Sequence, residues 1–139
     1  MKPCVTVSLV SEARGGPFIF WDDLASAAGK AAQLGFTAIE IFPPAGGAIN
    51  RDDLGSLLHK HKLAVAAFGT GGGWIRHKLT LTSASAEIRE RARAFVSEMI
   101  DLAAVFGAAV IVGSMQGKAE GEVSRSQALN FLGEALTGL

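Results

Sequence analysis

The sequence predicts an α/β fold of parallel strands amounting to about half of a (β/α)₈ barrel, and three observations carry that expectation. A short β-rich run, a loop and a helical pattern follow one another four times, with runs at residues 4–10, 37–42, 63–68 and 108–113. Strict β-α alternation means parallel strands joined by right-handed crossovers, with helices covering the sheet. The chain has 139 residues, enough for a real core in one domain spanning 1–139 but well short of the roughly 250 that a complete barrel needs. Finally, the second run, TAIEIF, sets Glu40 among apolar and β-branched residues.

Each element has its own signal. The first run, CVTVSLV, alternates Val5, Val7 and Leu9 with Cys4, Thr6 and Ser8. The helix after it is expected to begin near Asp22 or Asp23, whose carboxylates suit the positive end of the helix dipole, and to stop at Gly35. Its inner stripe is Leu24, Ala28 and Ala31. After TAIEIF, Asn50 is a good N-cap for a helix that carries Leu54, Leu57, Leu58 and His61 on one face and ends near Lys62. LAVAAF follows, and then GTGGGWIRHK, which reads as a loop. Ser85 caps the longest helix, with Ile88, Ala92, Phe95, Val96, Met99, Ile100 and Phe106 at helical spacing and Gly107 after it. AAVIVG leads to the last helix, opened by Ser124 and Gln127 in capping-box spacing and carrying Ala128, Leu129, Leu132 and Leu136.

Glu40 distinguishes a barrel from an open sheet. Alternation puts Ile39 and Ile41 on one face and Ala38, Glu40 and Phe42 on the other. In an open doubly wound sheet helices cover both faces, and each reads apolar. A barrel turns its second face into a lumen whose C-terminal mouth is polar, and there Glu40, with Thr6 and Ser8, has a place. The competing expectation is a compact flavodoxin-like binding module, which would need apolar residues at these positions.

The segments LGFTAIEIF and IDLAAVFGAAVIVGSMQG, joined by the Arg-bearing helix SASAEIRERARAF, resemble the N-terminal half of the sugar phosphate isomerase/epimerase family, within the xylose isomerase-like TIM barrel superfamily. The resemblance covers nearly the whole chain. It implies isomerisation or epimerisation of a sugar or sugar phosphate, with a divalent Mn²⁺ or Mg²⁺ polarising substrate oxygens while carboxylates move a proton next to a carbonyl. The family's metal ligands come from strands five to eight, so none is expected in this chain and no metal is expected to bind it alone. An endonuclease IV-like relative would draw His ligands from the third and fourth strand ends, where Phe68-Gly69 and Gly113-Ser114 offer none.

Four residues are candidates for substrate contact at the mouth: Glu40, Trp74 in the loop after the third run, and Ser114 and Gln116 after the fourth. Other polar groups have simpler readings. The glycines around Trp74 do not make a phosphate loop, because the sixth-place glycine is missing, no helix is expected there, and Lys78 lacks its frame. His59 and His61, two apart on a helix, cannot share a face and are not expected to form a metal pair, and His77 has no partner at ligand spacing. Asp22-Asp23 and Asp52-Asp53 stabilise first helical turns, and Glu87 with Arg91 reads as a surface pair.

Thirteen basic residues balance thirteen acidic ones, which disfavours nucleic acid and anionic lipid as partners. Cys4 is the only cysteine, no leader pattern is seen, and apolar stretches are too short to span a bilayer, so a cytoplasmic location is expected. Open strand edges predict a homodimer or larger assembly.

Overall fold

The computed structural model describes residues 3–21 and 23–139. All four predicted strands are present: β1 (Cys4–Ser8), β3 (Ala38–Phe42), β4 (Ala64–Gly69) and β5 (Ala109–Ile111). A fifth, β2 (Phe20–Trp21), was not expected; it pairs in parallel with the end of β1, Val7 opposite Phe20 and Ser8 opposite Trp21. The sheet order is β2-β1-β3-β4-β5 and every pairing is parallel. The edge of β1 is therefore partly covered, where the sequence predicted it open. β5 is shorter than its apolar run, with three residues paired to β4.

Helices α1 (Leu24–Gln33), α2 (Arg51–His61), α3 (Gly71–His77), α4 (Ala86–Val105) and α5 (Arg125–Thr137) complete the chain. Their starts follow local chemistry. Asp23 accepts from the Ser26 amide, Asn50 from Asp52 and Asp53, and Ser85 from Ile88, while Ser124 and Gln127 form a reciprocal capping box. Each cap satisfies amides that the first helical turn leaves without a partner. Asp22, the other predicted start of α1, lies outside the described residues.

Val5, Val7, Ile39, Ile41, Val65 and Phe68 form the helix-facing side of the sheet and are buried with Ala28 and Ala31 of α1, Leu54 and Leu58 of α2, and Ala92, Val96 and Met99 of α4. The opposite side has no helix against it: Cys4, Ala64 and Ala109 are exposed there and Ile111 is 43% exposed, while the small residues Ser8, Ala38, Ala67 and Gly69 are buried between their neighbours. One covered and one bare face is the arrangement of a barrel wall, and it excludes a doubly wound sheet.

Three further expectations are corrected. The stretch after β4, read as a loop, is the helix α3. Leu129 and Leu136, two of the apolar positions in the expected α5 pattern, are exposed, because α5 packs through Ala128 and Ala135. Glu87 and Arg91 make no ion pair; on that helix Arg93 instead meets Glu90 at 2.7 Å.

Candidate functional site at the C-terminal ends of the strands

Parallel pairing aligns the bare-face side chains in rows. Cys4, Ala38 and Ala64 form the first, Thr6, Glu40, Ala67 and Ala109 the second, and Ser8, Phe42, Gly69 and Ile111 the third, at the C-terminal ends. A shift between Ile39 and Glu40 makes Ala66 the extra residue of β4 and keeps Ala67 in the row of Glu40. Glu40 is half-buried, as its strand parity predicts, and no described cation pairs with it. Its charge, after the larger effect of burial, raises the Cys4 thiol above its ordinary pKa, while a backbone hydrogen bond from Glu40 partly offsets both.

Above these rows the chain closes tightly. Phe42 lies over Gly69 and Gly71, so a Cβ on Gly71 would come within 2.5 Å of its ring. A Cβ on Gly72 would meet the Pro43 carbonyl oxygen at 2.6 Å, and one on Gly73 would strike the Met115 sulfur. The glycines of GTGGG thus let the first turn of α3 rest against β3 and the turn after β5. Close approach, rather than phosphate capture, explains them.

Two connections then lock together. The Thr70 amide donates to the Ile111 carbonyl, and its buried hydroxyl to that of Val112. The Leu81 amide donates to the Met115 carbonyl at 2.8 Å, and the Thr82 hydroxyl to the Lys118 carbonyl at 3.1 Å. Between them a cavity of ≈ 220 Å³ is lined by Trp74, Ser114, Gly117 and Lys118. Trp74 and Lys118 also line a second, of ≈ 330 Å³, with the hydroxyl residues Thr80, Thr82 and Ser83 on its wall. Lys78 Nζ sits 5.1 Å from the centre of the Trp74 ring, a cation–π contact that holds the indole at the cavity edge.

Of the four predicted contact residues, Trp74 and Ser114 therefore share a cavity. Gln116 is exposed at the end of the short 3₁₀ turn 113–116 and lines neither, and Glu40 lies one row deeper on the sheet. An aromatic group was missed. Phe18 stacks on Phe42 at 4.8 Å and meets Trp21 edge-on at 5.5 Å, while the Trp21 indole donates to the Phe18 carbonyl. Arg76 of α3 pairs with Glu12 at 3.0 Å and ties this segment to the rim. The cluster of aromatics in GGPFIFW was the available signal, but only the β1–β2 pairing shows that they reach the mouth.

A divalent metal does not fit these residues. Among the described residues no three His, Cys, Asp or Glu side chains come together as a possible metal site, and Glu40, the sole carboxylate in the three rows, offers too few oxygen donors to hold a divalent cation. No described helix is long and apolar enough to cross a membrane.

The chain belongs to the xylose isomerase-like TIM barrel family, whose model matches residues 28–139. Its fold is similar to a structure from Brucella melitensis described as AP endonuclease, family 2 (TM-score 0.64, 19% identity, 97% of this chain and 48% of that one). It is also similar to D-psicose 3-epimerase crystallised with D-fructose (TM-score 0.68, 15% identity, 99% and 47%). A third similar structure is D-allulose 3-epimerase from Methylomonas sp. with D-allulose (TM-score 0.60, 18% identity, 97% and 48%). The chain thus spans about half the length of these solved structures. No curated protein matches its sequence significantly.

Proposed function

We propose that this chain forms the substrate-orienting part of a sugar isomerase or epimerase, which transfers a proton at the carbon next to a carbonyl. The observation that carries the reading is the convergence of Trp74 and Ser114 in one cavity at the C-terminal ends of β4 and β5, the end at which such barrels act. A sugar has an apolar C–H face and a rim of hydroxyls. The Trp74 plane suits the first, and the Ser114 hydroxyl and Lys118 ammonium suit the second. Glu40, deeper in the lumen, is available to accept a hydrogen bond from a substrate hydroxyl.

The names of two similar structures, a psicose and an allulose 3-epimerase, support a ketose as the substrate class. Metal-assisted chemistry, implied by the family resemblance, would draw its ligands from outside these residues. The ends of β4 and β5 offer Phe68, Gly69, Gly113 and Ser114, no histidine, and with a balanced net charge this favours a small sugar over nucleic acid. The free thiol of Cys4 supports a cytoplasmic setting.

Saturation-transfer NMR with D-allulose tests the proposal. Millimolar binding is expected, weakened several-fold by Ser114→Ala and removed by Trp74→Ala. Unchanged binding by Trp74→Ala would refute the site.

A further inference from the structure

We infer that the ligand of this mouth is a ketose extended through a glycosidic bond by a second sugar unit, which lies in the neighbouring cavity past Trp74, and not a phosphorylated monosaccharide. The inference rests on the proposed ketose site and adds to it a cavity that a single ketose leaves unused.

The two cavities adjoin. Trp74 and Lys118 line both, so the indole stands between them and offers an apolar surface to a ring in either. Gly117 lines the first cavity, and with φ +78° and no Cβ its backbone lies directly against Thr80 and Thr82 in the wall of the second. The Thr82 hydroxyl donates to the Lys118 carbonyl, which fixes the floor common to both. The second cavity, at ≈ 330 Å³, is the larger. At about 30 Å³ for each water-sized group it holds on the order of ten such groups, the size of a hexose unit rather than of a phosphate.

Charge decides between these substituents. The wall of the second cavity carries Lys78 and Lys118, but also Glu120 and Glu122. Lys118 Nζ is paired with Glu120 at 2.9 Å, and Lys78 Nζ is turned to the Trp74 ring and to the Ile75 carbonyl at 3.3 Å. No arginine fork lines the cavity, and a phosphate dianion would meet two carboxylates there. A neutral sugar unit meets a matched wall. Each of its hydroxyls donates and accepts; the Glu120 and Glu122 oxygens accept, the two ammonium groups donate, and the Thr80 and Ser83 hydroxyls do either. The half-buried Thr80 hydroxyl makes no hydrogen bond to a described residue, which leaves it available to the ligand.

Three sugars that differ only in the group on the sixth-carbon oxygen test this: D-fructose, D-fructose 6-phosphate, and isomaltulose, in which that group is a glucosyl unit. Dissociation constants are measured by NMR titration on the wild type, on Trp74→Ala, and on a double variant, Thr80→Val with Glu122→Gln, which alters the second cavity alone. Circular dichroism confirms that each is folded, and the wild-type comparison stands by itself should a variant not fold. Isomaltulose should bind at least about tenfold more tightly than fructose, and fructose 6-phosphate no more tightly than fructose. The double variant should bring isomaltulose to within about twofold of fructose while leaving fructose unchanged. Fructose binding that depends on Trp74, with isomaltulose no tighter or with the phosphate the tightest of the three, would overturn the inference and leave the ketose reading standing. A gain for isomaltulose undiminished in the double variant would also overturn it, because the second unit would then lie elsewhere. Absence of binding by all three would remove the ketose reading and this inference with it.

Discussion

Glu40 occupies the bare side of β3 because Ile39 and Ile41 claim the helix-facing side, and that parity follows from the two-residue repeat of a strand. With no described cation paired to it, Glu40→Gln should change stability by less than about 0.5 kcal/mol, whereas breaking a buried ion pair costs about 3–5 kcal/mol. Thermal denaturation separates the two. The same substitution has a chemical readout at Cys4, whose thiol is held up by burial first and by the Glu40 charge second. A raised thiol pKa means that the folded state favours the neutral form. Its contribution to stability is complete below the unfolded thiol pKa and is lost as pH rises through the folded one. Removing the charge should lower the thiol pKa and speed alkylation of Cys4 by iodoacetamide at mildly alkaline pH. An unchanged rate would show that Glu40 does not act on Cys4.

Among the elements, α3 best shows what sequence could and could not reveal. Three consecutive glycines disfavour a helix by propensity, so the stretch reads as a loop. It is helical because removing every Cβ lets it sit against Phe42, Pro43 and Met115, contacts from distant parts of the chain. Gly72→Ala should therefore destabilise by about 1–3 kcal/mol, since its methyl would meet backbone. Gly133→Ala in α5, with nothing within 4 Å of the added carbon, should stabilise by about 0.5–1 kcal/mol. Urea denaturation of the two variants checks the contrast, and equal effects would contradict it. Where control is local the sequence was readable: Asn50, Ser85 and Ser124 cap the helices they were expected to cap, because an N-cap needs only amides two or three residues away. The two-residue β2 has no local signature and exists through its pairing with β1. Leu129 and Leu136 mislead because a helical stripe states which residues share a face, not whether anything packs on it.

For the whole molecule, the alternation of β-rich and helical runs and the polarity of one strand face were enough to expect a barrel wall, and the one-sided helix cover agrees. The candidate site was legible in part. Trp74 and Ser114 could be nominated because loops at the C-terminal strand ends hold ligands. Their meeting depends on the bonds from Leu81 to Met115 and from Thr82 to Lys118, which join loops more than thirty residues apart in sequence and follow no short-range rule. Another non-local contact sets Phe18 against Phe42, with Trp21 edge-on to Phe18.

If the proposed ketose site lies at this mouth, amide chemical-shift mapping during titration with D-fructose will locate it. Saturable shifts are expected at Thr70, Gly71, Ser114, Gly117 and Lys118 and at the Trp74 indole, with the helices on the far face unmoved. Shifts confined to the groove between α1 and α2, lined by Leu24, Leu54 and Leu57, or no saturable shifts at any residue, would contradict it.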